Sequence, residues 1–457
     1  MNLLYLNTHD TGRAISPYGI DAPTPTFKEL AEDGTLFTHA YCCSPTCSPS
    51  RAAMLTGTYP HQNGMLGLAQ RGFSLSDPSK HLANFLKSQN YQTVISGIQH
   101  ESGWYLDENA DGIHQLGYDE ILTVNSNQYK KDEYHLWDRE NALKMVDWLK
   151  NHDRSKPFMA SYGMHSTHRI YPSEIIDEID PRYVKPISPC DNNEDNRKDH
   201  AQFLTSAYYA DQNIKLIIQA LKDTNLYDET IIIYTTDHGV AIPFHKCNLT
   251  DSGIGVSLII RNPKVKSKGI VVDQLISQVD VFPTLCDLLG LEKPNYLEGK
   301  SFKEIFENKD AKINDVVFAE VNFHTSYEPM RCVRNNRYKY IKYYDEEWNH
   351  FNLSNMDESI PKAFLMKNDL ISKDKDLECL YDCYYDPEER DNLINKSEYK
   401  DIIDSLRNEM IQIQIKTNDP ILNGNIPVKS KYKVNKVSCI QASSKNSDDY
   451  VSLGVKD

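Results

Sequence analysis

The densest chemistry in the chain stands in one short run, Cys47-Ser48-Pro49-Ser50-Arg51. Pro49 suits the first turn of a helix, where its missing amide hydrogen is not needed, so the run reads as a loop entering a helix with Cys47 at its start. Unpaired amide donors and the positive end of the helix dipole meet at such a position; they favour an anion there and lower a thiol pKa. Arg51, four residues on, shares that helical face. A cysteine standing alone is usually a small buried hydrophobe, so the run acquires meaning only from its companions. Those companions are polar residues that each follow an apolar run: Asp10, His100, His165 with His168, and Asp237 with His238.

Bringing such residues together takes a sheet whose strands end on one side, because ligands bind in the crevice beyond the strand C-termini of an open α/β sheet. Strands are predicted at Leu3 to Leu6, Thr93 to Ile98, Phe158 to Met164, Thr230 to Thr235 and Val256 to Ile260. Helices are predicted between them, at Phe27 to Asp33, His81 to Ser88, Arg139 to Asn151, His200 to Asp223 and Val281 to Leu289; Gly34 and Gly290 follow the first and last. The alternation implies an α/β fold, a large, mixed, mostly parallel sheet sandwiched by helices. From about Met330 the texture turns tyrosine-rich and alternating, with a helix at Lys400 to Ile415 and a polar tail from Asp419. The expected division is a catalytic domain over 1–328 and a smaller α+β subdomain over 329–457, with antiparallel sheet, helix and extended tail.

Composition narrows the partners. The 457 residues carry a formal charge of -15, with 40% hydrophobic and 25% charged residues, as in an ordinary globular protein. That charge argues against nucleic acid and makes a long polyanion an awkward ligand, whereas small anionic groups fit. No run approaches a membrane span, and Leu3 to Leu6 is followed at once by polar residues, so the expectation is a cytoplasmic protein with no membrane partner. The ten cysteines show no disulfide framework, and Cys379 with Cys383 lacks a second ligand pair for zinc. A homo-oligomer is left open.

The run Cys47, Pro49, Arg51, Thr56 and Gly57 resembles the sulfatase family, whose motif is Cys-x-Pro-x-Arg before a Thr-Gly turn. The resemblance implies that a sulfatase-maturating enzyme oxidises Cys47 to formylglycine, whose hydrated aldehyde attacks sulfur, and that Arg51 steadies it. It also implies a cation held by Asp10, Asp237, His238 and position 47, with His9 standing where an acidic residue is common. Calcium is the expected ion, or another divalent cation, because the ligands are rich in oxygen and free of thiolate clusters. By the same resemblance His100 assists sulfate release, His168, with His165 second, protonates the leaving oxygen, and Lys246 binds sulfate. Ile98 stands where the family carries a lysine, so another cation must compensate.

Within the family the likeness is greatest to heparan N-sulfoglucosamine sulfohydrolases. It rests on Ser48 to Ala52, on His61-Gln62-Asn63-Gly64-Met65, and on His324 before Tyr327-Glu328-Pro329-Met330-Arg331. It implies that His324 and Arg331 line the substrate pocket, with Arg71 a further candidate. The expected activity is hydrolysis of a sulfate ester or sulfamate on a small saccharide, N-sulfoglucosamine or another glycosaminoglycan-derived sugar. Two alternatives stay open: a phosphonate or phosphate ester hydrolase of the same superfamily, and a non-catalytic protein that binds sulfated sugar.

Overall fold

Every residue of the first strand, Asn2–Thr8, is buried, because helices cover both faces of the sheet it centres. This is seen in a computed structural model describing residues 1–103 and 111–451. The sheet has eight strands in the order Glu120–Ile121, Gln92–Gly97, Phe158–Gly163, Asn2–Thr8, Thr230–Thr236, Leu258–Arg261, Thr35–Phe37 and Ile270–Val272. Leu258–Arg261 runs antiparallel to both of its neighbours, and the other pairings are parallel. A strand buried on both faces reads as an unbroken apolar run, which is why the central strands are legible in sequence.

The two faces are separated by the period of two. Leu3, Ile95, Met159, Ile231 and Ile233 point to one core, shared with the helices Leu82–Ser88 and Val281–Leu289. Leu4, Leu6, Val94, Ala160 and Ile232 point to the other, packed by Tyr134–Asn151 and Glu194–Asp223. A register slip of one residue would exchange the two sets, so burial on both sides pins the strands and the loops at their ends.

A second sheet of four antiparallel strands follows: Val317–Phe323, Tyr327–Arg334, Tyr338–Tyr343 and Glu378–Asp382. Phe318, Val333, Tyr340 and Leu380 form one cross-strand row, covered by Ile403, Leu406 and Met410 of the helix Lys400–Thr417. The neighbouring row, Ala319, Cys332, Ile341 and Cys379, faces the opposite way and joins the core of the large sheet. A division drawn between residues 328 and 329 passes through the second of these strands. The tail is described as far as Val451 and bridges back through Asn435 to Ser326.

Candidate active site

The helix Cys47–Thr56 starts at Cys47, follows an extended Thr46, and is buried along its whole length. Cys47 Sγ lies 3.4 Å from His238 Nε2 and 3.9 Å from Asp10 Oδ1. The helix start does not lower this thiol pKa. Burial raises it well above the ordinary value, and the carboxylates of Asp10, Asp237 and Asp357 add to that against Lys246. An unmodified thiol here is a poor nucleophile, since the thiolate is the reactive form.

Asp10 and Asp237 end adjacent strands and are locked to one another. Asp10 has a left-handed φ of 59°, a costly conformation for a residue with a Cβ, and its amide donates to Asp237 Oδ1 at 2.8 Å. The His238 amide donates to the same oxygen at 3.0 Å. Arg51 Nε donates to Asp237 Oδ2 at 3.1 Å. Burial opposes ionisation of Asp237, but His238, Arg51 and the Asp10 amide hold its carboxyl down at about 2. His9 Nε2 lies 3.3 Å from Asp237 Oδ2 and 3.6 Å from Asp10 Oδ1.

Lys246 is carried by a loop in which Phe244 and Cys247 both take positive φ, at 67° and 65°. Its buried Nζ donates to Asp10 Oδ2 at 2.8 Å, lies 3.3 Å from His168 Nε2, and pairs with Asp357 Oδ2 at 3.1 Å. Burial would lower its pKa, yet Asp10 and Asp357 raise it well above the ordinary value, so the ammonium persists. Ile98 is apolar and 2% exposed, and the cations paired with the two carboxylates are Lys246 and Arg51.

The histidines arrive from separate strand ends. His168 Nε2 is 3.7 Å from Asp10 Oδ2, and its side chain is 24% exposed, so it touches both the buried cluster and solvent. His165 stands behind it, ring centroids 5.1 Å apart, and packs edge-on to Tyr134. The loop bearing both is tied down by Asp138, which accepts the amides of His165 and Ser166 at 2.7 and 2.9 Å. His100 Nε2 meets Gln70 Oε1 at 2.9 Å, and its ring centroid is 5.5 Å from that of His9. Burial lowers the His9 and His100 pKa values well below the ordinary one; at His9 the charge of His168 adds to this and at His100 that of Arg51, so both rings stay neutral.

Of the three substrate-pocket residues expected, His324, Arg331 and Arg71, the structure sets one beside the cluster. His324 is 5% exposed, follows the strand Val317–Phe323, and senses Lys246 and Asp357 electrostatically. Arg331 is not in the pocket: fully buried, it pairs with Asp419 at 2.6 and 2.8 Å, Glu320 at 3.2 Å, Asn322 at 2.9 Å and the carbonyls of Val321 and Met330. Arg71 is likewise occupied, by Asn435 Oδ1 and the Lys433 carbonyl, each at 3.0 Å, and by the Ala442 carbonyl, so it anchors the tail. Both arginines sit in short motifs whose residue types fit a pocket, and only their packing shows otherwise.

Asp357 was invisible in the sequence. It lies between the turn Leu353–Asn355 and the helix Ile360–Lys367, in a stretch with no motif, and brings a carboxylate to Lys246 from the second region. Burial opposes its ionisation, but Lys246 and the histidines His168 and His324 keep its carboxyl below the usual range. Glu101 was also missed; it accepts the His100 amide at 3.0 Å, and burial pushes its carboxyl up although Arg51 opposes this.

The donors able to hold a cation form two overlapping groups, His9, Asp10, position 47 and His168 in one and Asp10, position 47, Asp237 and His238 in the other, with the ligand atoms of each within 4.8 Å of one another. Buried carboxylates that share one point repel unless a cation lies between them, and both nitrogens of His9 lack a hydrogen-bond partner among the described residues, so the donor set fits a metal.

Comparison with known proteins gives one family. A model described as "Sulfatase" matches residues 2–291, and one described as "N-sulphoglucosamine sulphohydrolase, C-terminal" matches residues 238–369. The chain is 29% identical to an ulvan-active sulfatase of Formosa agariphila, over 88% of this chain and 77% of that protein. It is 26% identical to N-sulphoglucosamine sulphohydrolase of Homo sapiens, over 92% and 91% of the two chains. A solved protein in complex with its substrate D-glucosamine-2-N,6-O-disulfate shares the fold, with TM-score 0.69 and 19% identity over 92% of this chain and 98% of that one.

Proposed function

The chain belongs to the sulfatase family, and from that premise we propose that it hydrolyses the sulfate ester or sulfamate of a small glycosaminoglycan-derived saccharide, N-sulfoglucosamine being the favoured sugar. It is a sulfuric ester hydrolase; the sugar and the mechanism are the proposal. The observation that carries it is the setting of position 47, at a buried helix start against His238 and Asp10 with Lys246 and Arg51 close by.

Oxidised to formylglycine by a maturating enzyme, position 47 would supply a hydrated aldehyde as nucleophile, and a divalent cation held by Asp10, Asp237, His238 and His9 would offset the charge of the bound sulfate. Arg51 holds Asp237 and faces position 47 from the same helix, so it steadies the anion that forms there. Lys246 binds a sulfate oxygen through the Nζ now shared by Asp10 and Asp357. His168 gives the proton to the leaving oxygen or nitrogen, because it alone of this histidine group reaches both the cluster and solvent. His100, kept neutral by burial, accepts the proton that must leave position 47 when sulfate is expelled. His324 lines the sugar side. The sugar assignment is supported by the C-terminal match over residues 238–369, a span that contains Lys246, His324 and Asp357.

Sulfate release from a panel of N-, 2-O-, 3-O- and 6-O-sulfated saccharides, beside an aryl sulfate and an aryl phosphate ester, tests the reading. Release from a defined glucosamine sulfate is expected. Turnover of no saccharide would overturn the sugar assignment, and faster turnover of the phosphate ester would favour the phosphoester alternative.

A further inference from the structure

His238 Nδ1 lies 3.0 Å from the carbonyl oxygen of Gly239. A carbonyl only accepts, so Nδ1 is the donor there and Nε2 is left to the cluster. Nε2 faces Asp10 Oδ1 at 3.3 Å and Asp237 Oδ2 at 3.9 Å.

His9 makes the same approach from the other strand end. It is 2% exposed, both ring nitrogens are without a hydrogen-bond partner among the described residues, and Nε2 faces Asp237 Oδ2 at 3.3 Å. Its ring is confined between those of His168 and His100, with centroids 4.5 and 5.5 Å away. Nε2 of His9 lies within 3.6 Å, and Nε2 of His238 within 3.9 Å, of the same two carboxylate oxygens, Asp10 Oδ1 and Asp237 Oδ2.

Resting on the reading that this cluster holds a cation, we infer that it selects a first-row transition ion of the manganese-to-zinc range over calcium, with Nε2 of His9 and of His238 as ligands beside Asp10 and Asp237. Calcium takes about six to eight oxygen ligands and gains affinity with carboxylate count, and two carboxylates make a poor calcium site. Imidazole nitrogen suits the later transition ions, and mixed nitrogen and oxygen sets suit the range as a whole. The Gly239 contact on His238 is the kind of outer hydrogen bond that orients a metal-bound histidine. The expectation of calcium rested on the carboxylates. His238 and His9 were already named beside them; the structure adds that both imidazoles face the two carboxylates.

The test uses the matured protein, stripped by chelator and dialysed against equal Mn2+, Zn2+ and Ca2+, with bound metal read by elemental analysis and nitrogen ligation by the visible absorption of added Co2+. A transition ion is expected to exceed calcium by about tenfold or more. His9→Phe is expected to weaken transition-ion binding and alter the Co2+ spectrum, and His9→Asp to shift the preference towards calcium. The same preference is expected in Cys47→Ala, where no sulfur can act as a soft ligand. Calcium bound in preference, or His9→Phe leaving occupancy and spectrum unchanged, overturns this inference and leaves the cation-dependent hydrolase intact. Matured protein that binds no divalent ion overturns both.

Discussion

Two buried charge clusters in this molecule are built from the same residue types, histidine, acid and a basic group, yet they differ in how far they satisfy themselves. The first joins His61, Glu320, Arg331 and Asp419: His61 Nδ1 meets both Glu320 oxygens at 3.0 Å, and Arg331 spends its donors on two carboxylates, one amide oxygen and two carbonyls. Gln414 and the Ile421 amide complete Asp419, and His61 Nε2 is left over. The second joins His9, Asp10, Asp237, His238 and Lys246, and there both ring nitrogens of His9 lack a hydrogen-bond partner among the described residues and Nε2 of His238 faces carboxylates. A buried polar network that closes on itself is a clamp, and one that leaves its groups facing a common point is waiting for a ligand. Here the clamp fastens the first helices to the second sheet and tail, and the open cluster is where chemistry belongs.

Cys47→Ala strikes the open cluster hardest. It is expected to cut sulfate release by on the order of 10^4-fold or more while the thermal midpoint stays within a few degrees. Sulfate release assays and thermal melts on the same preparation decide it, and undiminished turnover would sink the role of position 47. Arg331→Met strikes the clamp. It strands Glu320 and Asp419 as buried carboxylates and is expected to cost about 3–5 kcal/mol in urea unfolding, with kcat per folded molecule unchanged. A large fall in kcat of the folded variant would put Arg331 back in the substrate pocket.

Asp357→Asn sits at the rim of the open cluster. The prediction is that its carboxylate accepts a sugar hydroxyl, so that its loss lowers kcat/KM about tenfold on a saccharide relative to an aryl sulfate. An equal change on both substrates would make Asp357 a partner of Lys246 and nothing more. The smallest expected effect belongs to His61. Burial would lower its pKa, but Glu320 raises it above 6.5 in the folded chain. A raised folded pKa adds stability that is complete below the unfolded value and lost as pH rises through the folded one. Thermal melts above pH 6.5 should therefore fall by about 1–2 °C more in the native protein than in His61→Gln. Parallel curves would show that the ring does not titrate there.

Position 47 at a helix start, Asp10 and Asp237 at strand ends and the order of the histidines were all legible in the chain. Local preferences place each of them: proline in a first turn, apolar runs for strands covered on both faces, polar residues where those runs stop. Arg331 and Arg71 were not legible, because an arginine in a pocket and an arginine in a clamp have the same neighbours in sequence and differ in which carbonyls and carboxylates meet them in space. Asp357 was hidden for the converse reason, since nothing adjacent to it hints at Lys246 from across the fold. The Cys47 thiol marks the division most plainly. Its helix start is a local property that lowers a thiol pKa, but burial and three converging carboxylates exist only in the tertiary structure, and they reverse the sign.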